Sequence, residues 1–469
     1  MEEETNQTEA RRLFYRKKTS LRPDIQAIAT AFGKHYTLIA IGSGKEQRWF
    51  TCEDGLWREH THEEMLAMIR DFFIELVDKS GLVDARQLLT VRLINDILRI
   101  VAIDVARESM PKMDPAVIPC NNGTVLKWDS ESKRLAETEM QPDFHITHTL
   151  IVAYDPTAKH VLFDEKIKEI IPDENDRRVI QEYLGAALFS ENRTRMILLL
   201  QGEGSTGKSV LVKIISGILG RERAFDLDFS LLGENFSLSG LSPHATLLSA
   251  SETASRDLCG KGGAWAKKLV GGDEFQASLK YRNERVNHVG FFTVIMTSNE
   301  SIRLDFTSNG QEWRDRLLPI LFKNSIPVEK QDRNLVERLL QDEGPGILNW
   351  LLEGAVRVRS NNWIIQLSPV QQAIRDRLIE AGSNSIELFI RHFVKKDPTE
   401  DFTSSDAYKL YCHEVHEKGL EFFTESLFFK RFAQVIAEKY SLTPVNTVLD
   451  VKGKQVRGYR GLKLERQSF

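Results

Sequence analysis

The hydrophobic positions of this chain form their clearest pattern around residues 196–220. An uninterrupted apolar run at 196–200 predicts a buried strand, because a strand covered on both faces has no polar side. Residues 210–219 are apolar at helical spacing and are followed by Gly220, which predicts a helix that ends there. The segment between them is rich in glycine, so the sequence predicts a strand, a tight loop and a helix in succession.

Similar patterns divide the rest of the chain into α/β and helical regions. Short apolar runs at 49–51 and 55–57 predict strands, and helical spacing occurs at 66–77, 335–359 and 369–381. The sequence therefore predicts an α/β protein of several domains. The predicted regions are an α/β accessory region at 1–140, a helical collar at 141–190, a nucleotide-binding core at 191–360, a helical linker at 361–399 and a C-terminal domain at 400–469.

Residues 202–209 read Gly-Glu-Gly-Ser-Thr-Gly-Lys-Ser, a complete G-x-x-x-x-G-K-S phosphate-binding motif. A strand before it and a helix after it are the context in which this motif binds phosphate. Its backbone N–H groups can converge on phosphates, and the helix adds the positive end of its dipole. Lys208 is expected to reach the β- and γ-phosphates of ATP, and the Ser209 hydroxyl to hold Mg²⁺. The predicted nucleotide ligands are Gly202, Gly204, Ser205, Thr206, Gly207, Lys208 and Ser209.

Two further apolar runs end in polar side chains suited to ATP hydrolysis. The run 246–250 is followed by Ser251 and Glu252, and Glu252 is the candidate base that orients the attacking water and contacts Mg²⁺ through water. An ordinary charged residue at a strand end is the alternative. The run 291–296 leads to Asn299, whose amide can hydrogen-bond the γ-phosphate or the attacking water.

Residues 313–317 read Trp-Arg-Asp-Arg-Leu and lie just beyond the predicted core strands. An arginine in this place often reaches the γ-phosphate of a neighbouring subunit and stabilises charge in the transition state. Arg314 and Arg316 are both candidates for this role. The alternative is a surface arginine paired with Asp315, and the residues alone favour neither interpretation.

Basic residues follow the pair of glycines at 271–272. Lys280, Arg282 and Arg285 stand in a short basic and aromatic stretch, which predicts a hairpin whose tip could contact a phosphate backbone. A solvated loop has the same composition. The stretch is therefore a candidate DNA contact only in combination with other motifs.

The C-terminal region predicts a helix at 424–440 followed by two strands that meet at Lys452-Gly453-Lys454. Lys430 and Arg431 lie off the apolar face of that helix. Residues 451–469 contain six Lys or Arg and one acid, although the whole chain has a net charge of −4. A helix followed by a basic hairpin can enter a groove of DNA and hold the neighbouring backbone. A solvated basic tail is the alternative.

Composition restricts the class of protein. The chain is 41% hydrophobic and 28% charged, which is ordinary for a globular protein, so a DNA-binding surface must be local. The four cysteines are far apart and predict reduced thiols in a cytoplasmic protein rather than disulfides or a zinc site. The acidic N-terminus lacks an apolar core, and no run approaches about 18 apolar residues, so neither a signal peptide nor a membrane span is predicted.

The order of these motifs resembles that of the superfamily-three helicases, and more narrowly the poxvirus-type and phage/plasmid primase-associated helicase family. The resemblance covers roughly residues 40–465. Beyond the core motifs it includes Asn121-Asn122-Gly123-Thr124-Val125-Leu126, the segment 343–354, which resembles the helix that follows those motifs in the family, and the end of the chain, Gly458-Tyr459-Arg460-Gly461-Leu462. The matching core segments are 202–209, the strand ending at Glu252, 269–273 with 280–282, the strand ending at Asn299, and 313–322.

The resemblance implies an AAA+ ATPase core, an N-terminal α/β-helical region and a C-terminal winged helix. It implies a DNA helicase that uses ATP and Mg²⁺ and translocates on single-stranded or forked DNA as a ring, in the form of a hexamer. It places Lys280, Arg282 and Arg285 on a hairpin that points into the ring channel. It also implies replication of a phage, plasmid or other mobile element in a bacterial host cytoplasm, with a separate primase or polymerase as partner.

Three positions depart from the family pattern. Ser251 stands where an acidic residue is common, Asp315 splits what is usually an arginine pair, and Ile302 replaces a frequent proline. No paired-aspartate polymerase motif or zinc-ligand cluster precedes residue 150, so the resemblance implies a helicase and not a primase. A loading ATPase without processive unwinding, or a protein that binds a replicon origin through its winged helix, stays open as an alternative.

Overall fold

A computed structural model of the chain describes residues 2–17, 20–44, 47–232, 238, 240–254, 260–278, 285–299, 313–382, 385–417, 425–450 and 452–465. These residues form a mixed α/β protein, which confirms the predicted fold class at that level. No helix in this part of the chain is long and apolar enough to cross a membrane.

The N-terminal region has a hydrophobic core of its own, built from helices around a four-stranded sheet. The helix α3 is longer than the predicted 66–77 because Thr61 and Glu64 form a capping box at its start. In chain order the elements are α1 Glu2–Arg12, β1 Phe14–Lys17, β2 Ser20–Pro23, α2 Ile25–His35, β3 Thr37–Ile41, β4 Arg48–Glu53, β5 Leu56–His60, α3 His62–Ser80, α4 Val91–Asp104 and β6 Ala106–Arg107.

A second small sheet and two helices connect this region to the core. They are β7 Val117–Pro119, β8 Thr124–Asp129, β9 Arg134–Glu139, α5 Val161–Ile170 and α6 Glu174–Ala186. The boundary predicted at residue 140 does not separate two hydrophobic cores. Ile118 and Leu126 of the small sheet are buried in one cluster with Tyr183 of α6, because that sheet covers its apolar face with the helices that follow it.

The core is a five-stranded sheet in which every pairing is parallel. Its order is β11-β12-β15-β10-β16. The strand β10 lies between β15 and β16, so both of its edges are paired, and its four apolar side chains are buried. The elements are β10 Ile197–Gln201, α7 Lys208–Leu219, β11 Ala224–Asp226, β12 Leu247–Ala250, α8 Gly260–Gly271, β13 Glu274–Ser278, β14 Arg285–Val289, β15 Thr293–Ser298 and β16 Leu317–Leu321.

A long helix, α9 Leu335–Ser360, packs against α6 along one face. Two glycines of α9 make close contacts with backbone. A Cβ at Gly354 would overlap the carbonyl of Gln181 in α6, and a Cβ at Gly346 would overlap the carbonyl of Lys159 just before α5. The backbones can approach this closely only because no side chain separates them.

The C-terminal domain consists of three helices against a three-stranded antiparallel sheet. Its first strand, β17 Val394–Thr403, crosses the boundary predicted at 399/400, so that boundary falls inside one strand. The predicted linker is also divided, because Leu378 is buried against the core and Phe389 against the C-terminal domain. The elements are α10 Pro369–Gly382, α11 Ser385–Phe393, β17, α12 Ser404–Glu417, α13 Glu425–Tyr440, β18 Val445–Leu449 and β19 Gln455–Leu464.

We predict that Gly354→Ala lowers the free energy of unfolding by about 3 kcal/mol, because the new methyl group must push α9 away from α6. Gly33→Ala is the matched control, since Gly33 lies in α2 and nothing lies within 4 Å of the place that its methyl group would take. The control should be stabilised by up to about 1 kcal/mol through helix propensity. Urea unfolding of both variants measures this, and equal effects would contradict the close packing of α9.

Candidate functional site

The predicted phosphate loop joins the carboxyl end of β10 to the amino end of α7, as the motif requires. Gly207 has φ +94°, a backbone conformation that favours glycine, and it stands at the N-cap of α7. A Cβ at Gly202 would overlap the carbonyl of Phe322, which follows β16. Two of the motif glycines are therefore required by the local backbone.

Lys208 is buried at the start of α7, and its ammonium group turns back onto the loop. The Nζ atom donates to the carbonyls of Gly202 and Glu203, both at 2.6 Å, and to the Thr206 hydroxyl at 3.2 Å. Burial lowers the pKa of Lys208. The three N–H donors of the ammonium group are therefore directed at the loop itself, where the motif would hold a phosphate.

The loop offers the groups that a triphosphate with Mg²⁺ would need. α7 has no side-chain cap, so its first-turn N–H groups can face an anion. Gly204, Ser205 and Ser209 are exposed, and the Ser209 hydroxyl is a hard oxygen ligand of the kind Mg²⁺ prefers. These residues fit a nucleotide phosphate chain, with Lys208 as its cation.

Glu252 lies at the carboxyl end of β12, two residues beyond the strand. Its side chain is exposed and its φ is +55°, in the left-handed region. The Glu252 N–H donates to the Thr297 hydroxyl at 3.3 Å, and the Thr253 N–H donates to the Thr297 carbonyl at 2.8 Å. The end of β15 thus holds the turn that presents the carboxylate.

Asn299 is exposed directly after β15 and next to the phosphate loop. Gln201 pairs in register with Ser298, and the Gly202 N–H donates to the Ser298 carbonyl at 3.1 Å. The structure therefore brings Lys208, Glu252 and Asn299 to the same edge of the sheet. Their catalytic roles stay predictions. Sequence reasoning missed Thr297, although the polar run that ends β15 contains it.

The two candidate arginines lie at the opposite edge of the sheet. Arg316 directly precedes β16, and its carbonyl accepts the Ile197 N–H at 2.7 Å, at the amino end of β10. The Arg314 Nε donates to Asp376 of α10 at 2.9 Å. No local sequence signal indicates this pair, because 62 residues separate the two side chains.

The predicted hairpin is present as two antiparallel strands, β13 and β14, with Ser278 opposite Arg285. Lys280 and Arg282 lie in the connection between them, outside the described residues, and Arg285 opens β14. The structure thus supplies the stem of the hairpin, and contact with DNA stays a prediction.

In the C-terminal domain, the predicted DNA contacts divide into exposed and paired side chains. Lys430 is exposed on α13, but Arg431 is half-buried and donates to Glu387 at 3.2 Å, so it contributes to packing inside the domain. Lys452 and Lys454 are exposed in the turn between β18 and β19. The Asp450 carboxylate accepts both of their N–H groups, at 2.9 and 2.8 Å.

A cleft of about 1300 Å³ lies at the amino edge of the core sheet, on the side opposite the phosphate loop. His148, His244 and His288 line it between the N-terminal region and the core. Burial lowers the pKa of His148 to about 2 and that of His288 to about 4, so both imidazoles are neutral at physiological pH. Within the described residues no group of three or more metal-ligating side chains occurs.

Comparison with known proteins finds a family match in the N-terminal part of the chain. Residues 26–172 match the family described as D5 N terminal like. The chain is 28% identical over 120 residues to the protein named "Putative primase C962R" of African swine fever virus, in a Warthog/Namibia and a Pig/Kenya isolate. That segment is 25% of this chain and 12% of the viral protein, so the chain spans about an eighth of the length of these relatives.

Solved structures similar to this chain include two of the NrS-1 C-terminal region in its A form without ligand. Each has a TM-score of 0.49, with 9% and 11% sequence identity. The first match covers 92% of this chain and 98% of the other, and the second covers 93% and 100%.

We predict different defects for two substitutions at the carboxyl edge of the sheet. Lys208→Ala should abolish nucleotide binding or turnover, because the phosphates lose their main cation. Glu252→Gln should keep binding but lose nearly all hydrolysis, because the amide cannot polarise the attacking water. Nucleotide affinity and steady-state ATP hydrolysis of each variant measure this. Wild-type turnover by Glu252→Gln would show that another group is the base.

Proposed function

We propose that this chain is an ATP-driven DNA helicase of the superfamily-three type, with an AAA+ core and a C-terminal winged helix, and that it acts in replication. The observation that carries the proposal is the edge of the sheet where Lys208, Glu252 and Asn299 meet. A cation, a candidate base and a polar amide at one edge of a parallel sheet are the groups that hydrolyse a nucleoside triphosphate.

The strand order supports an AAA+ assignment for the core. Numbered along the chain, the five strands lie in the order 2-3-4-1-5, with the phosphate-loop strand β10 next to β15 and the strand of Glu252 beyond it. This arrangement puts the Asn299 strand between the phosphate loop and the candidate base. A residue on β15 can therefore contact both groups.

The position of the two arginines supports a ring. They lie at the amino end of β10, whereas the phosphate loop follows its carboxyl end. The five residues of β10 separate these ends by about 13 Å at about 3.3 Å per residue, which is more than an arginine side chain spans. An arginine here is too far from the phosphate loop of its own chain to contact a nucleotide held there, which supports action on a nucleotide held by a neighbouring subunit.

Replication is supported by the D5 N-terminal-like match and by the similarity to the viral protein named as a primase. DNA contact is assigned to the β13–β14 hairpin, with Lys280, Arg282 and Arg285, and to the exposed Lys430, Lys452 and Lys454 of the C-terminal domain. The proposed partners are forked DNA, further copies of this chain and a separate primase or polymerase.

A loading ATPase and a replicon-origin-binding protein are the alternatives. The basic turn between β18 and β19 favours the origin-binding protein. The Asp450 carboxylate accepts the backbone N–H groups of both lysines, and their side chains are exposed to solvent on this turn. Footprinting on random and replicon-origin DNA distinguishes the origin-binding protein from the helicase, because the phosphate contacts of a helicase carry little sequence information.

The test of the proposed function is strand displacement on a forked duplex. Wild-type protein should unwind it only with ATP and Mg²⁺, and Glu252→Gln should not. Lys280→Ala combined with Arg282→Ala should weaken single-strand binding equally on every sequence and uncouple hydrolysis from unwinding. Hydrolysis without displacement by the wild type would favour the loading ATPase. Primer synthesis without displacement would assign the chain to the activity named for its viral relative.

We predict that Arg316→Ala keeps nucleotide binding but lowers hydrolysis, since such an arginine contributes about 10³–10⁵ in rate. Arg314→Ala is the second candidate for the same defect. Mixing Arg316→Ala with Lys208→Ala subunits should restore part of the activity. At some interfaces an intact arginine then meets an intact phosphate loop. Absence of rescue at every ratio, in rings shown to co-assemble, would argue against action between subunits.

A further inference from the structure

The segment 343–354 matches the family pattern, yet it lies away from the phosphate loop. Glu343, near the middle of α9, reaches the start of α5. Its two carboxylate oxygens accept the N–H groups of Leu162 and Phe163, each at 2.8 Å. The N-cap residue of α5 makes no side-chain cap of its own, so this distant carboxylate stabilises the first turn and complements its dipole.

The other end of α5 lies beneath the phosphate loop. Ile170, the last residue of the helix, is buried and packs on Gly207. A Cβ built at Gly207 would lie 2.9 Å from three carbon atoms of the Ile170 side chain. The ten residues of α5 span about 15 Å, so one rigid helix joins the Glu343 carboxylate to the loop.

α9 also contacts the helix that follows the loop. Leu340, three residues before Glu343 and so on the same face of α9, packs on Gly217 of α7, where a Cβ would overlap its side chain. One turn of α9 thus holds both α5, which supports Gly207 from below, and α7, which carries Lys208. A shift of α9 relative to α5 would change the position of the loop between them.

We propose that Glu343 is a positioning residue of the nucleotide site, which acts by holding α5 in contact with Gly207. We call this connection from Glu343 through α5 to Gly207 the strut. Glu343 itself contacts neither nucleotide nor DNA in this proposal. α5 lies inside the segment 26–172, so the strut also couples the D5 N-terminal-like region to the nucleotide. Because coupling is reciprocal, a bound nucleotide stabilises the Glu343 contact as much as that contact stabilises nucleotide binding. The inference about nucleotide affinity rests on the proposed function.

The test compares Glu343→Gln with wild type and with Glu337→Gln, the same change at an exposed site six residues earlier on α9. The amide introduced by Glu343→Gln turns a donor toward one of the two α5 N–H groups, so the contact with α5 loosens. We expect the dissociation constant and the KM for ATP to rise about tenfold, with kcat little changed. Glu337→Gln should match the wild type. A role in stability alone would lower Tm and leave the affinity of the folded protein unchanged.

Hydrogen exchange provides a second readout that needs no nucleotide. In Glu343→Gln, exchange should be faster at Leu162 and Phe163 and also at Leu211, whose N–H donates to the Gly207 carbonyl at 3.2 Å. In the wild type, a non-hydrolysable ATP analogue should slow exchange at Leu162 and Phe163.

Ile170→Val shortens the strut from its other end and should raise the dissociation constant about threefold, near the lower end of ordinary coupling. Ile170→Val tests the same proposal if Glu343→Gln does not fold.

The outcomes separate the two proposals. If the wild type binds no nucleotide, the proposed function is wrong, and faster exchange at Leu211 in Glu343→Gln still decides whether the strut exists. If the wild type binds ATP but neither Glu343→Gln nor Ile170→Val changes its affinity, the strut is wrong and the proposed function stands. Unchanged hydrogen exchange at Leu211 in folded Glu343→Gln would also overturn the proposal of the strut.

Discussion

The contact of α9 with the helices before the core is the constraint on which the rest of the structure depends. At Gly354 the backbone of α9 lies against the backbone of α6, and at Gly346 it lies against the residue pair that precedes α5. These contacts fix the position of α9, because a movement of α9 by the width of one methyl group would break its contacts with both α6 and the segment before α5. The arrangement of α5, α6 and α7 around the loop at residues 202–209 follows from this contact.

The two edges of the core sheet carry different sets of polar and charged side chains. Lys208, Glu252 and Asn299 occupy the carboxyl edge and the two arginines the amino edge. The amino edge also holds Arg223, which is fully buried and donates to the carbonyls of Ala187, Leu188 and Phe189 beyond the end of α6. A cation is favourable at a helix C-terminus, so this contact stabilises the end of α6.

The N-terminal region is bound to the core by aromatic and charged contacts as well as by apolar packing. The Arg359 guanidinium of α9 lies over the rings of Trp128, Phe189 and Trp363, at 4.5 to 5.4 Å from their centroids, and donates to the Pro115 carbonyl. Burial lowers the pKa of Arg359. Cation–π contacts of a half-buried guanidinium contribute about 1 kcal/mol each. The match to the D5 N-terminal-like family therefore covers a region that is continuous with the core.

The sequence by itself determined the local elements on which the candidate phosphate loop depends. The apolar run of β10, the glycine motif and the spacing of α7 predict a phosphate loop, because each is a property of neighbouring residues. Long-range contacts decided the rest. Burial groups Ile118 with the core, across the boundary predicted at residue 140, and the strand β17 runs across the boundary predicted at 399/400. The pairs Glu343 with α5 and Arg314 with Asp376 join residues 180 and 62 positions apart, and no periodicity reports such contacts.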